Sequence, residues 1–219
     1  MTVINAPDRL LWAPMSVATQ RTKRRQLREE TRRQILDAAQ AFLRGRSFRE
    51  LSVDALMAQT GHTRTVFYRH FDDIPSLVLA LMAEVGSELV ELSEQWARTD
   101  RIGPDEARAR LTLFVDFYVR NGPLVRAVAE GAHHDDAVEQ TYTGMIESFI
   151  ALTAREIQAR IDHGKLAPLD APEIARALVW MLNGYLSDAL GRAPQTDSAR
   201  ALDVVTTIWS RTLFPHAGG

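Results

Sequence analysis

The stretch Leu51–Phe71, LSVDALMAQTGHTRTVFYRHF, reads as two short helices joined by a tight turn. Ser52 is a natural N-cap, because its hydroxyl can accept from an amide that the first helical turn leaves unpaired; Asp54 adds negative charge at the positive end of the helix dipole. Val53, Leu56 and Met57 recur at i, i+3 and i+4, which places them on one face. Gly61 stands where a chain leaving a helix turns left-handed, a conformation that glycine adopts without a Cβ clash. Thr63 then caps a second helix in which Phe67 and Phe71, four apart, face inward. Arg64, Thr65, Tyr68 and Arg69 fall on other faces and stay outside. A short helix that buries two rings and displays Arg, Thr, Tyr and Arg suits insertion into a DNA major groove. The alternative is an ordinary helical core with a basic surface.

The run Gly61-His62-Thr63-Arg64-Thr65-Val66-Phe67-Tyr68-Arg69-His70-Phe71 resembles the signature of the TetR family of transcriptional regulators. Gly61, Thr63, Arg64, Phe67, Tyr68, His70 and Phe71 fit it, as do Ser52, Val53 and Leu56 upstream; Gln34 to Ala39 and Phe42 resemble that family's first helix. The resemblance implies an all-α fold of about nine helices, with an N-terminal three-helix DNA-binding domain and a C-terminal helical domain for ligand binding and dimerisation. It also implies a homodimer built through the last helices, a double-stranded DNA operator and a small-molecule effector. Arg64 and Thr65 are the expected base contacts, since Arg can bond guanine in bidentate fashion and a Thr methyl can meet thymine. By resemblance, Ser52, Tyr68 and His70 are placed to bond phosphates, which position without specifying; Thr63 and Arg69 complete the face. Three residues depart from the pattern. Val66 replaces the usual hydroxyl and Ile74 replaces a Lys that commonly opens the fourth helix, each removing a contact to DNA. His62 replaces a Val or Ile, and is either a DNA contact or a surface residue.

Charge is divided along the chain. Of 219 residues, Arg21–Phe71 holds 12 Arg and Lys against 5 Asp and Glu, whereas Asp72 to the end holds 13 against 22. A basic N-terminal quarter on an acidic remainder points to a polyanion partner for one end only. The densest part, Arg21 to Arg33, reads as a flexible basic arm, with Arg24 and Arg25 meeting phosphates or the minor groove beside the recognition helix; a solvated tail is the plainer alternative. There is no cysteine, which excludes disulfides and thiolate metal sites and fits a reducing, cytoplasmic setting. No apolar run approaches the roughly 20 residues needed to span a bilayer.

Residues 1–20 contain two prolines and no clear period, and are expected to be disordered, with Met15 a second candidate start. Residues 21–73 form the expected DNA-binding domain and residues 74–219 the ligand-binding and dimerisation domain. A first helix is expected over Glu29–Arg44, with Ile35, Leu36, Ala39, Phe42 and Leu43 inward. A long fourth helix, capped by Asp72 or Asp73 and ending near Arg98, has Leu77, Leu81, Val85, Leu89, Leu92 and Trp96 on its inner side. Asp100–Pro104 reads as a turn and Asp105–Asn121 as a helix, broken by Asn121-Gly122-Pro123. A short helix follows to Ala132, then helices over Ala137–His163, Pro172–Leu190 and Ser198–Leu213. The last two are apolar on more than one side, as a pair buried across a two-fold axis would be.

Phe114, Phe117, Tyr118, Met145, Phe149, Trp180 and Asn183 lie on helices that in this family surround an effector cavity, which suits an apolar, elongated or aromatic small molecule. The plainer reading is a packed helical core. The region of Phe114 and the run from Thr207 to Phe214 resemble the EthR-like regulators. His133-His134-Asp135-Asp136 reads as a helix cap, because adjacent side chains seldom converge on one ion; no metal or cofactor is expected. No serine elbow, phosphate-cradling glycine loop or HExxH is present, and catalysis is not expected. The resulting expectation is a sequence-specific regulator, in the form of a repressor released from a pseudo-palindromic operator by an effector. The alternative is a helical ligand-binding or scaffold protein whose DNA head has degenerated, which Val66 and Ile74 would favour.

Overall fold

The computed structural model of the chain describes residues 17–97 and 103–214, and among them every regular element is helical. α1 (Val17–Gly45) buries Ile35, Leu36, Ala39, Phe42 and Leu43 as expected, but begins far upstream of Glu29. The basic stretch taken as a flexible arm is therefore the N-terminal part of a continuous helix. The reason is local: Val17–Arg33 holds no Gly or Pro and is rich in Arg, Gln, Leu and Glu, and extending an existing helix avoids the nucleation penalty. Glu30 and Arg33, one turn apart, pair at 3.0 Å. The expectation of disorder for residues 1–16 lies outside the described residues.

A 3-10 turn (Phe48–Glu50) follows, which the sequence pattern did not signal; Glu50 Oε1 accepts from both the Ser47 amide and hydroxyl. α2 (Val53–Thr60) and α3 (Arg64–Phe67) complete the head. α3 is only four residues long, so Tyr68 to His70 form a turn rather than further helix. α4 (Ile74–Ala97) is opened by Asp73, whose carboxylate accepts from the Ser76 amide at 2.8 Å. The Leu92 and Trp96 side chains and most of the Asp100–Pro104 turn lie outside the described residues.

α5 (Pro104–Ala132) runs unbroken through Asn121-Gly122-Pro123, where a break was expected. Pro123 removes one hydrogen bond, to the carbonyl of Val119, which lies on the exposed side where water can satisfy it. Packing on both sides holds the rest of the helix straight enough to continue, and the two expected helices become one. Eight α-helices result among the described residues, against the nine expected. α6 (Asp136–Asp162) is capped by Asp135, which accepts from the amides of Ala137 and Val138. α7 (Ala171–Leu190) and α8 (Ser198–Leu213) fall where the periodicity put them.

α5 is the hub: it touches the 3-10 turn, α1, α4, α6, α7 and α8. One apolar core runs from Ile35 of the head to Leu213 of α8 without interruption. Glu156 of α6 meets Arg110 of α5 at 3.8 Å, with both side chains nearly buried. Arg160, one turn on, donates to the Leu213 carbonyl at 2.9 Å and stacks on the Phe214 ring, tying the end of α8 to α6.

Candidate nucleic-acid interface and ligand cavity

In the head, Phe67 and Phe71 go inside while Tyr68 stays outside. Phe67 is 0% exposed and packs against Phe71 at 5.6 Å and edge-on against Tyr68 at 5.4 Å. Tyr68 itself is half exposed, and Thr63, Arg64, Thr65 and Arg69 surround it on the surface. The turn that sets this face rests on Gly61 at φ 69°, with Thr60 accepting from the His62 amide at 3.2 Å. Ser52 caps α2 by accepting from the Ala55 amide at 3.2 Å, and its hydroxyl proton remains available to an incoming acceptor.

Arg64 is held rather than loose. It donates to Asp54 at 3.0 Å and reaches the Tyr68 hydroxyl at 3.4 Å. The hydrogen bond it donates to the Tyr68 oxygen, then the Asp54 carboxylate, push its pKa further above the ordinary arginine value. The pair is exposed to solvent, so its effect is to aim the guanidinium, not to hold the fold. His62 is tied to α1, its Nε2 3.1 Å from Gln34 Oε1. Val66 and Ile74, the departures from the family pattern, are partly buried against the core. Neither Asp54 nor Gln34 stood out in the sequence as part of this face, since both pairings join separate elements.

The helical form of the basic stretch brings Arg24, Arg25, Arg28 and Arg32 to one groove beside His70. Arg28 donates to the Arg69 carbonyl at 3.2 Å, and Arg32 lies over the Phe71 ring at 5.2 Å. Burial, then the charges of Arg28 and Arg32, hold the His70 pKa below the usual imidazole value. A concave surface with four guanidiniums, the Glu29 carboxylate and the His70 imidazole keeps a net positive charge and has the donors to take a phosphate backbone.

The second feature is a cavity of about 340 Å³ bounded by α4, α5, α6 and α7. Phe114, Tyr118, Met145, Phe149 and Asn183 line it as expected. Phe114 and Phe149 meet edge to face at 4.8 Å. Phe117 is fully buried but not on the cavity wall, because it lies off the face that Phe114 and Tyr118 share at i and i+4. Trp180 is 41% exposed: Val179, Leu182 and Asn183 turn inward, which points position 180 away from the cavity. Tyr142 was missed, although its spacing of three from Met145 and seven from Phe149 puts it on their face. Gly86, inside α4, lies opposite Met145, and a Cβ there would stand 3.4 Å from the Met145 methyl.

The cavity's polar groups form a chain. Tyr118 donates to Asn183 Oδ1 at 2.6 Å, and Asn183 Nδ2 donates to the Tyr142 oxygen at 2.8 Å. Burial pushes both phenols up, Tyr118 well beyond the ordinary phenol range, so neither ionises near neutral pH. Beyond these bonds, the Tyr142 proton and the second amide hydrogen of Asn183 are donors that the chain does not use.

Among known proteins, residues 107–215 match the family described as "Transcriptional regulator EthR, C-terminal domain". The "HTH-type transcriptional regulator EthR" of Mycobacterium tuberculosis is 29% identical over 187 residues, covering 82% of this chain and 85% of that one. The fold is shared with a TetR-like transcriptional regulator from Rhodococcus sp. RHA1 (TM-score 0.66, 21% identity, 88% of this chain and 97% of that one). It is shared too with SmeT, the repressor of the Stenotrophomonas maltophilia multidrug efflux pump SmeDEF (TM-score 0.63, 19% identity, 82% and 88%). These relatives are regulators rather than enzymes, and the likeness takes in the helix-turn-helix and the cavity-bearing helices together. In sequence the chain is similar to the transcriptional regulator EthR over most of its length, and in fold it is similar to TetR-family regulators.

Proposed function

We propose that the chain is a repressor that holds a pseudo-palindromic operator as a homodimer and releases it when an uncharged, largely apolar effector enters the cavity. The observation that carries this reading is the pairing of an exposed Arg64–Thr65–Tyr68 face on a buried aromatic mount with an apolar cavity built on helices that reach the same head. Arg64 and Thr65 read bases; Ser52, Thr63, Tyr68, Arg69, His70, Arg24 and Arg25 hold phosphates. The free donors of Tyr142 and Asn183 favour an effector with an acceptor oxygen or nitrogen on an otherwise apolar body. Phe114, Tyr118, Met145 and Phe149 would bind that body. Trp180 of α7 and Val204 and Ile208 of α8 are exposed apolar side chains on the two helices expected to pair, and this supports a dimer through them.

Selection of bound duplexes from a random pool tests the reading. The winner should be a two-fold site whose affinity falls steeply with added salt, and Arg64→Ala should lower preference at one base position by roughly 1–3 kcal/mol. A protein that binds the winner no better than random duplex would refute it. The scaffold alternative rested on Val66 and Ile74, and both are taken up by packing against the core.

A further inference from the structure

We propose that Glu130 is the positioning residue that fixes the orientation of the DNA-binding head against the cavity domain. The proposal rests on the DNA-binding reading above. Glu130 sits in the last turn of α5 (Pro104–Ala132) and accepts from the Phe48 amide at 3.3 Å, a bond that joins residues 82 positions apart. The tip of the Phe48 ring abuts the next residue, where a Cβ on Gly131 would stand 3.1 Å from its Cζ. One turn earlier Arg126 pairs with the other oxygen of Glu130, and its Nε donates to the Gly191 carbonyl at 3.0 Å, just past the end of α7. One turn earlier again Gly122 lies against that same end, 2.8 Å from its Cβ position to the Leu190 oxygen. Gly122, Arg126 and Glu130 are four apart, so a single face of α5 connects the end of α7 to the head.

This face does something the rest of the junction does not. The other contacts of the head, α1 against α4 and α5, are largely apolar. Apolar burial is non-directional, so it resists separation while permitting rocking. A hydrogen bond has a preferred direction, and one to a carboxylate is about twice as strong as a neutral one. Phe48 opens the 3-10 turn that leads within four residues to the Ser52 cap of α2. An anchored Phe48 amide therefore sets the angle at which α2 and α3 leave the body of the protein. With the acceptor removed, the head stays attached but samples a wider range of angles.

The test uses the full chain with Glu130→Ala, with Glu130→Gln as the conservative variant that keeps an acceptor. In the free protein, amide hydrogen exchange across Phe48–Leu51 should quicken about tenfold or more in Glu130→Ala, and return most of the way in Glu130→Gln, while exchange in α6 and α7 stays unchanged. On DNA, the selected operator is compared with the same duplex carrying one extra base pair at its centre. A rigid head discriminates between the two spacings, and Glu130→Ala should shrink that discrimination by about tenfold. Simple loss of folded protein would lower binding to both duplexes equally and leave their ratio alone. An unchanged ratio, or unchanged exchange at Phe48–Leu51, overturns the proposal. A wild-type protein that prefers no duplex would instead overturn the DNA-binding reading, and the exchange arm would still decide whether Glu130 anchors the head.

Discussion

Because the basic stretch is helical, its charges are sorted by face, and DNA binding should depend on which arginine is removed. At about 100° per residue, Arg21, Arg24, Arg25, Arg28 and Arg32 share one side of α1. Four of these line the groove beside His70. Arg33 falls on the far side, where it pairs with Glu30, and Lys23 also lies away from the groove. Removing Arg24 and Arg25 together takes four cations from a dimer. At about 0.9 per phosphate, the slope of log affinity against log salt should become shallower by up to about 3.6. Over a fourfold rise in salt, the wild type then loses about 150-fold more affinity than the double variant. Fluorescence anisotropy on the selected operator and on a random duplex would measure both slopes. The two duplexes should change alike, because phosphate contacts carry no sequence information. Lys23→Ala with Arg33→Ala removes the same number of charges and should leave the slope nearly unchanged. If that pair flattens the slope as much as Arg24→Ala with Arg25→Ala, charge acts without regard to face, and the helical account of this segment is wrong.

Two more outcomes follow from the head and the hub. His70 has a pKa held below the ordinary 6.5 by burial and by Arg28 and Arg32, so the unfolded chain takes up its proton first on acidification. Its contribution to stability is therefore lost as pH falls below about 6.5. Phosphates beside those arginines offset their repulsion and raise the pKa. Operator affinity should therefore tighten between pH 7.5 and 6, by at most about tenfold per pH unit per site, and His70→Gln should remove that part of the dependence; equal pH profiles for the two proteins would exclude it. At the hub, Gly122→Ala drives a Cβ to 2.8 Å from the Leu190 oxygen, which is backbone and cannot rotate aside. Alanine would raise helix propensity by about 1 kcal/mol at an unhindered site, yet here denaturant unfolding should show a net loss of roughly 1–3 kcal/mol, and a variant as stable as wild type would refute the close approach.

Much of this architecture was legible in the chain because the signals are local. Ser52, Gly61 and Thr63 mark ends that depend on their own backbone, and Asp135 and Asp73 cap helices three residues away or fewer. The inward stripe of α1 follows from period alone, whereas Phe114, Tyr118, Met145 and Phe149 of the cavity were legible through the family resemblance. The helical course of Val17–Arg33 and the place of Tyr142 on the cavity face are local features, but other departures from expectation were decided by distant partners. Pro123 reads as a helix end until α5 is seen packed along its length, and Trp180 reads as a cavity residue until the faces of α7 are assigned to neighbours. The Arg64–Asp54, His62–Gln34 and Glu130–Phe48 pairings join separate elements, and no spacing rule announces them.

The departures from the family pattern gain a physical meaning from the same contrast. Val66 and Ile74 give up hydrogen-bonding groups at the DNA face, and both lean instead on the core that joins the head to α4 and α5. That exchange shifts the head from phosphate grip towards rigidity. On the DNA-binding reading proposed above, the arginine face of α1 would replace that grip, held in place by its helix. A head of this kind contributes less binding through adaptable side chains and more through a fixed angle. Its affinity should then respond strongly to small rotations of the body, which is the property a regulator needs when its signal is a modest repacking of α4, α5 and α6 around a small cavity.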